Sequence, residues 1–468
     1  MRRFSVIAAA AVLASGLTAA PAAAHGLVGK QDLPIPTWLF VWAASLVLIA
    51  SFVALAALWP TPRLQEPRER TVLRVPALLE VLCGMLGVAA FAFVVYAGLL
   101  GAQDVRTNIL PTVVFVIFWV GTPIASLLFG DVFRAFNPWR ATGRAVGWLA
   151  KRLGGDALPE ALPYPARLGY WPAALGVLAF VWIELAWAEQ DVPSALAIAA
   201  LLYAAVQLLG MSVFGVAAWS DRGDAFGVSF AMFARLSPIH WTHGELRVRR
   251  PLSGAPGTPV GAGLVALLCF LIGTTSFDGF TLGPSWSSVA PYLQDRFRGL
   301  GLNADRANEL VFTVGLLTGV AVVFGFYRLG AWGIRSVAGN RSTEQLARLF
   351  AHGLIPIALA YTVAHYFGLL ASEGQAMGYL LSDPLGRGWD LFGTAGASID
   401  YNWISSSAIW YVQVAALVIG HVAGLTLAHD RALATYDSAK AATQSQYWML
   451  AVMVGFTSLA LWLLSAGA

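Results

Sequence analysis

Two late apolar segments of the chain each carry a pair of histidines, His352 with His365 and His421 with His429. Imidazole can ligate a metal, relay a proton or act as a general base near neutral pH. An ionisable side chain inside a membrane span is costly and marks a functional site by default. Most of the chain's 7 histidines lie in or at the ends of these two segments.

The elements that must position them follow from composition. The 468-residue chain is 58% hydrophobic and 12% charged, against about 25% charged in soluble domains. It holds more apolar sequence than one soluble core buries. The net charge of +4 does not mark a nucleic-acid binder, because the basic residues sort by loop and form no continuous patch. Residues 1–24 have the order of a secretory signal: Arg2 and Arg3, an apolar stretch from Phe4 to Leu17, then Ala22-Ala23-Ala24. The mature chain is therefore expected to begin at His25. Cys83 and Cys269 both sit in apolar segments and read as small packing residues, not as a disulfide framework.

A spanning helix needs about 20 mostly apolar residues. Segments near 36–59, 76–101, 109–129, 168–188, 193–219, 258–276, 309–333, 346–371, 407–429 and 446–465 meet that need. They predict an all-α polytopic helical bundle of about ten spans, a single transmembrane domain over 25–468, with outer loops near 277–308 and 372–406. The stretch 227–239 is too short to span and is expected to lie along the interface or to re-enter. Phe133 to Pro138 and Phe233 to Pro238 echo one another and read as two interfacial elbows or a short repeat.

Charge gives the orientation. Loops 60–75, 130–167, 220–257, 334–345 and 430–445 are arginine-rich, while the alternate loops are poorer. The positive-inside rule assigns the first set to the cytoplasm and both mature termini to the outside.

Depth separates the histidines. At about 1.5 Å of rise per residue, His365 lies roughly 9 Å below the outer end of its span, level with Gln413 in the next. His352, His421 and His429 lie roughly 28, 21 and 33 Å down, an inner group. His421 and His429 are about 12 Å apart along their helix, too far to share one metal. A metal or haem site would need histidines from both helices. The readings are a hydrogen-bonded polar seam, a metal site on His352, His421 and His429, or catalysis and proton relay. Glu80 is a candidate partner for the inner group, and Glu184 reads as a span-end carboxylate. The outer candidates are His365 with Asp278, Asp390 or Asp400, placed in or beside the outer loops.

His25, freed by cleavage, would carry an imidazole and an α-amine on one residue, as copper-binding histidine braces do. His240-Trp-Thr-His243 is an H-x-x-H, two ligands where zinc takes four. No G-x-S-x-G elbow, H-E-x-x-H or P-loop occurs in the sequence.

Three stretches carry a resemblance: His25-Gly-Leu-Val-Gly-Lys-Gln-Asp-Leu-Pro-Ile-Pro, Ser382-Asp-Pro-Leu-Gly-Arg-Gly-Trp-Asp-Leu-Phe-Gly-Thr and Gly420-His-Val-Ala-Gly-Leu-Thr-Leu-Ala-His-Asp-Arg. With them the mature chain resembles multi-span bacterial proteins named fenitrothion hydrolase. The resemblance implies a bacterial inner-membrane protein that hydrolyses an organophosphate triester, and it brings no catalytic residue set. A divalent metal or copper would supply the activated water. The expected partners are the lipid bilayer, a small-molecule substrate and other subunits of a membrane complex. The rival reading is a metal-handling, haem-binding or transporting protein that uses its intramembrane histidines.

Overall fold

The computed structural model describes residues 37–154, 160–242, 244–338 and 341–466. The expected signal segment, His25 and His243 lie outside them. Among the described residues the chain is an all-α bundle, with eight helices long and apolar enough to cross a membrane. The expected segment 168–188 forms a shorter apolar helix, Trp171–Leu185.

In chain order the elements are α1 (Thr37–Leu58), β1 (Arg70–Arg74), α2 (Ala77–Leu100) and α3 (Ile109–Phe129). There follow α4 (Val132–Phe136), α5 (Pro138–Gly154), α6 (Trp171–Leu185), α7 (Pro193–Phe214) and α8 (Ala225–Ala234). A hairpin of β2 (Ile239–Thr242) and β3 (Glu245–Val248) leads to α9 (Leu264–Thr281) and α10 (Pro284–Gly299). The last third holds α11 (Ala304–Ala338), α12 (Thr343–Phe350), α13 (Leu354–Glu373), α14 (Ser406–Leu433) and α15 (Tyr447–Ala466).

The histidine-bearing helix α13 is central. Its apolar window is 78% buried, against 11% for α2, whose Leu78, Leu82, Met85 and Leu86 stay exposed where lipid would lie. Helix α13 packs on α9, on α14 and on the middle of α3. Small residues set the α13–α14 approach. A Cβ on Gly420 would fall 2.2 Å from the Ala360 Cβ, and one on Gly424 would fall 2.8 Å from the Gly353 carbonyl. The spacing Gly-x-x-x-Gly lets two helices close to backbone contact where lipid gives no hydrophobic drive. Between α12 and α13 the helix tightens to 3-10 geometry over Ala351–Gly353. Pro356 lacks the N–H that an α-helix would send back to the His352 carbonyl, which accounts for the tightening.

Helix α3 is π-helical over Thr112–Gly121. The run contains Thr112, Val113, Val114, Val116, Ile117 and Val120, β-branched side chains that crowd the α-helical turn. Such segments are rare and concentrate at functional sites.

The arginine-rich loops gather on one face. Strand β1 pairs antiparallel with β3, joining loop 60–75 to loop 220–257 in a sheet of order β1-β3-β2 that sequence patterning did not reveal. Arg140 and Arg144 of α5 reach Glu80 at 3.0 and 2.6 Å, so Glu80 serves the loop face and not the histidines. Asp430 accepts from Trp59 Nε1 at 3.0 Å, Arg63 N at 2.5 Å, Leu64 N at 3.1 Å and Gln65 Nε2 at 2.7 Å. On the opposite face, Arg387 donates to the Leu100 carbonyl at 2.8 Å and Ser194 N to Gln103 at 2.9 Å.

The short stretch at 227–239 packs into the protein interior and ends at the first residue of β2. Helix α8 is buried along most of its length, with Phe226, Phe230 and Phe233 in the core. The first elbow packs on α8 just ahead of the second, Phe133 against Phe230 with ring centroids 5.4 Å apart. They differ in outcome: Asn137 accepts from Arg140 N at 2.9 Å to start α5, whereas Ser237 accepts from Ile239 N at 3.1 Å and leads into a strand.

Candidate functional site

Asp278 sits in the last turn of α9, not in a loop, and is 1% exposed. The expected outer loop begins later, because Asp278 continues the apolar helix while Pro284 starts the amphipathic α10. Its Oδ2 lies 2.8 Å from His365 Nε2 and accepts from the Tyr366 hydroxyl, also at 2.8 Å. With Asp278 ionised the carboxylate only accepts, so the shared proton rests on His365 Nε2. Neighbouring residues of α13 thus grip one carboxylate oxygen from two sides, with ring centroids 4.5 Å apart and nearly perpendicular. Trp119, from the π-helical stretch of α3, lies near the Tyr366 hydroxyl, its buried Nε1 without a hydrogen-bond partner among the described residues.

A second carboxylate enters from α6. Glu184 Oε2, in the last turn of that helix, is sealed from solvent and has no hydrogen-bond partner among the described residues. Helices α9 and α13 therefore join Asp278, His365 and Tyr366, with Trp119 of α3 close by and Glu184 in the last turn of α6, which packs on α9. The joined residues lie near the arginine-poor face: Asp278 is three residues, about 5 Å, from the end of α9. An unpartnered buried carboxylate oxygen costs several kcal/mol unless a proton or cation satisfies it. The arrangement can take up and pass on a proton, and it orients His365 as a base.

The other sequence candidates have different positions. Asp390 accepts from Ser382 Oγ at 3.0 Å and Ala395 N at 2.9 Å, and those donors hold its carboxyl below the usual range. Asp400 accepts from Asn402 N at 2.8 Å. Both fasten the loop between α13 and α14, whereas Asp278 pairs with His365.

The inner histidines share a depth range but not a direction. His421 Nδ1 donates to the Leu417 carbonyl of its own helix at 2.8 Å, leaving Nε2 buried without a partner among the described residues. His429 Nε2 turns to α1, 3.3 Å from the Trp59 carbonyl, with the Phe52 ring 6.4 Å from its own. His352 is buried in the 3-10 turn, its Nε2 without a hydrogen-bond partner among the described residues. Among the described residues no three His, Cys, Asp or Glu side chains converge on one metal position. Gln413 completes this seam, fully buried with neither amide atom paired among the described residues. The register set by Gly420 and Gly424 places it level with His365, as the depth count predicts.

Sequence reading missed Tyr366 and Trp119 and undervalued Glu184. Tyr366 stands next to His365, and Glu184 is the acidic residue inside an otherwise apolar helix; both signals were visible. Trp119 is one aromatic among 18 tryptophans, and only the helix packing selects it.

No family model, curated protein or solved structure matches the chain. Fold and composition define an integral membrane protein of the polytopic helical class.

Proposed function

We propose that the protein is a proton-coupled carrier whose proton-binding site is Glu184, Asp278, His365 and Tyr366. The observation that supports this best is the second carboxylate: Glu184, in the last turn of the helix packed on α9, carries a buried oxygen with no hydrogen-bond partner among the described residues. Ionisable groups held inside a bundle are the usual parts of proton relays in pumps and transporters. The Gln413 amide and the Nε2 atoms of His421 and His352, without hydrogen-bond partners among the described residues, extend polar character toward the arginine-rich face. The test is proton flux in proteoliposomes with an internal pH dye under an imposed potential. Wild type is expected to carry protons, with at least about tenfold loss in Asp278→Asn and Glu184→Gln, since each removes the titrating group itself. Wild-type flux in both variants would overturn the assignment.

The Asp278–His365 hydrogen bond also favours a second reading, hydrolysis of an organophosphate triester as the resemblance implies. A carboxylate that orients an imidazole is one half of a general-base pair. That reading predicts triester hydrolysis by the purified protein, lost on chelation and in His365→Ala. Metal analysis of the same preparation tests the metal-handling alternative.

A further inference from the structure

The arginine-rich face holds a cleft of about 900 Å³ between the three-stranded sheet, the start of α2, α4 and the end of α8. We propose that this cleft binds an anionic phospholipid, its headgroup on Arg235 and its acyl chains along Leu79 and Phe129.

Charge pairing singles out Arg235. Glu80 holds Arg140 and Arg144, Asp221 holds Arg134 at 2.8 Å, and Glu69 lies 3.6 Å from Arg249. Glu245 is engaged by Arg247 at 2.8 Å, and Asp131 caps α4 through Arg134 N at 3.2 Å. Among the described residues Arg235 has no carboxylate within 4 Å; its nearest hydrogen-bonded oxygen is the Gly254 carbonyl at 3.4 Å. A half-buried guanidinium left over in this way fits a phosphate, whose oxygens match its fork of donors.

The remaining walls say why the anion is a lipid. Leu79 and Phe129 line the same cleft and are 48% and 58% exposed, on helices whose outer sides are apolar. The cleft therefore opens toward the bilayer as well as toward water. Its volume lies within the roughly 300–1,000 Å³ of small-molecule sites.

The test uses the full-length protein in detergent with dioctanoyl phosphatidylglycerol, dioctanoyl phosphatidylcholine and inorganic phosphate as probes, read by native mass spectrometry. Phosphatidylglycerol is expected to be retained over phosphatidylcholine, undisturbed by millimolar phosphate. Arg235→Gln is expected to weaken its retention about tenfold, the order of one charge-assisted contact. Equal retention of the two lipids by wild type overturns the proposal even if the variant fails to fold. So does displacement by phosphate, which would make the site one for a soluble anion, or undiminished retention by folded Arg235→Gln.

Discussion

Asp131 offers a direct test of how the arginine-rich face handles charge. Burial pushes its carboxyl from the ordinary 3.8 up to about 6, against the opposing pull of Arg134 and Arg140. The sign follows from linkage. A carboxyl with a raised folded-state value contributes stability below its unfolded value, and that contribution is lost as pH rises through the folded one. Ionised Asp131 therefore weakens the fold at neutral pH. Asn at this position keeps the capping oxygen that Arg134 N uses and removes the charge. Linkage between 3.8 and 6 gives about 3 kcal/mol at pH 7.5 and about 0.5 kcal/mol at pH 4. Because the residue is half-buried, solvent screening cuts the larger figure to roughly 1–2 kcal/mol. Asp131→Asn should then raise the thermal midpoint in detergent at pH 7.5 and leave it nearly unchanged at pH 4, followed by tryptophan fluorescence at one scan rate. A midpoint that falls at pH 7.5, or an equal shift at both pH values, would refute the reasoning.

Other consequences are equally open to measurement. Asp224 accepts from Asn137, Trp139 and Tyr203, each at 2.7 Å, and is fully buried. Asp224→Ala leaves those donors stranded and should cost about 3–5 kcal/mol, seen as loss of monodisperse protein on size exclusion. Gly420→Ala puts a methyl 2.2 Å from Ala360 Cβ and should cost about 1–3 kcal/mol as overpacking. Adding Ala360→Gly should restore the midpoint, and no rescue would mean the clash is not the cause. Asp430→Asn turns an amide NH2 toward two of its four donors, because each carboxylate oxygen accepts from two, and should lower the midpoint by the equivalent of about 1–3 kcal/mol.

The helical fold was legible because lipid leaves a spanning chain few choices: long apolar runs must form helices to satisfy their own backbone. The sorting of arginines was legible too. Loops that share that signature are hydrogen-bonded together on one face, β1 of the first against β3 of the third. The small sheet was not legible, because Arg70–Arg74 and Glu245–Val248 are short, charged and set in loops. The site was half legible. Counting residues gives depth, and depth correctly set His365 apart from the inner histidines and level with Gln413. Direction around the axis is decided by the neighbouring helices. It sends His429 to α1, turns His421 back on its own helix and leaves Asp278 as the carboxylate at His365.

Gln413 shows why the seam is worth testing as more than packing. Both of its amide atoms are buried and unpaired among the described residues, an arrangement that costs about 1–3 kcal/mol for each group. Structural side chains are not retained at that cost when an apolar residue of the same shape would serve. Gln413→Met keeps the length and removes the polar atoms. It should raise the thermal midpoint while lowering proton flux in the proteoliposome assay, because the stability gain and the lost relay come from the same atoms. A variant that is more stable and equally active would mean that the amide is an unused imperfection of the core. A variant that is less stable would mean that the amide is satisfied in the folded protein and that the seam is a structural network.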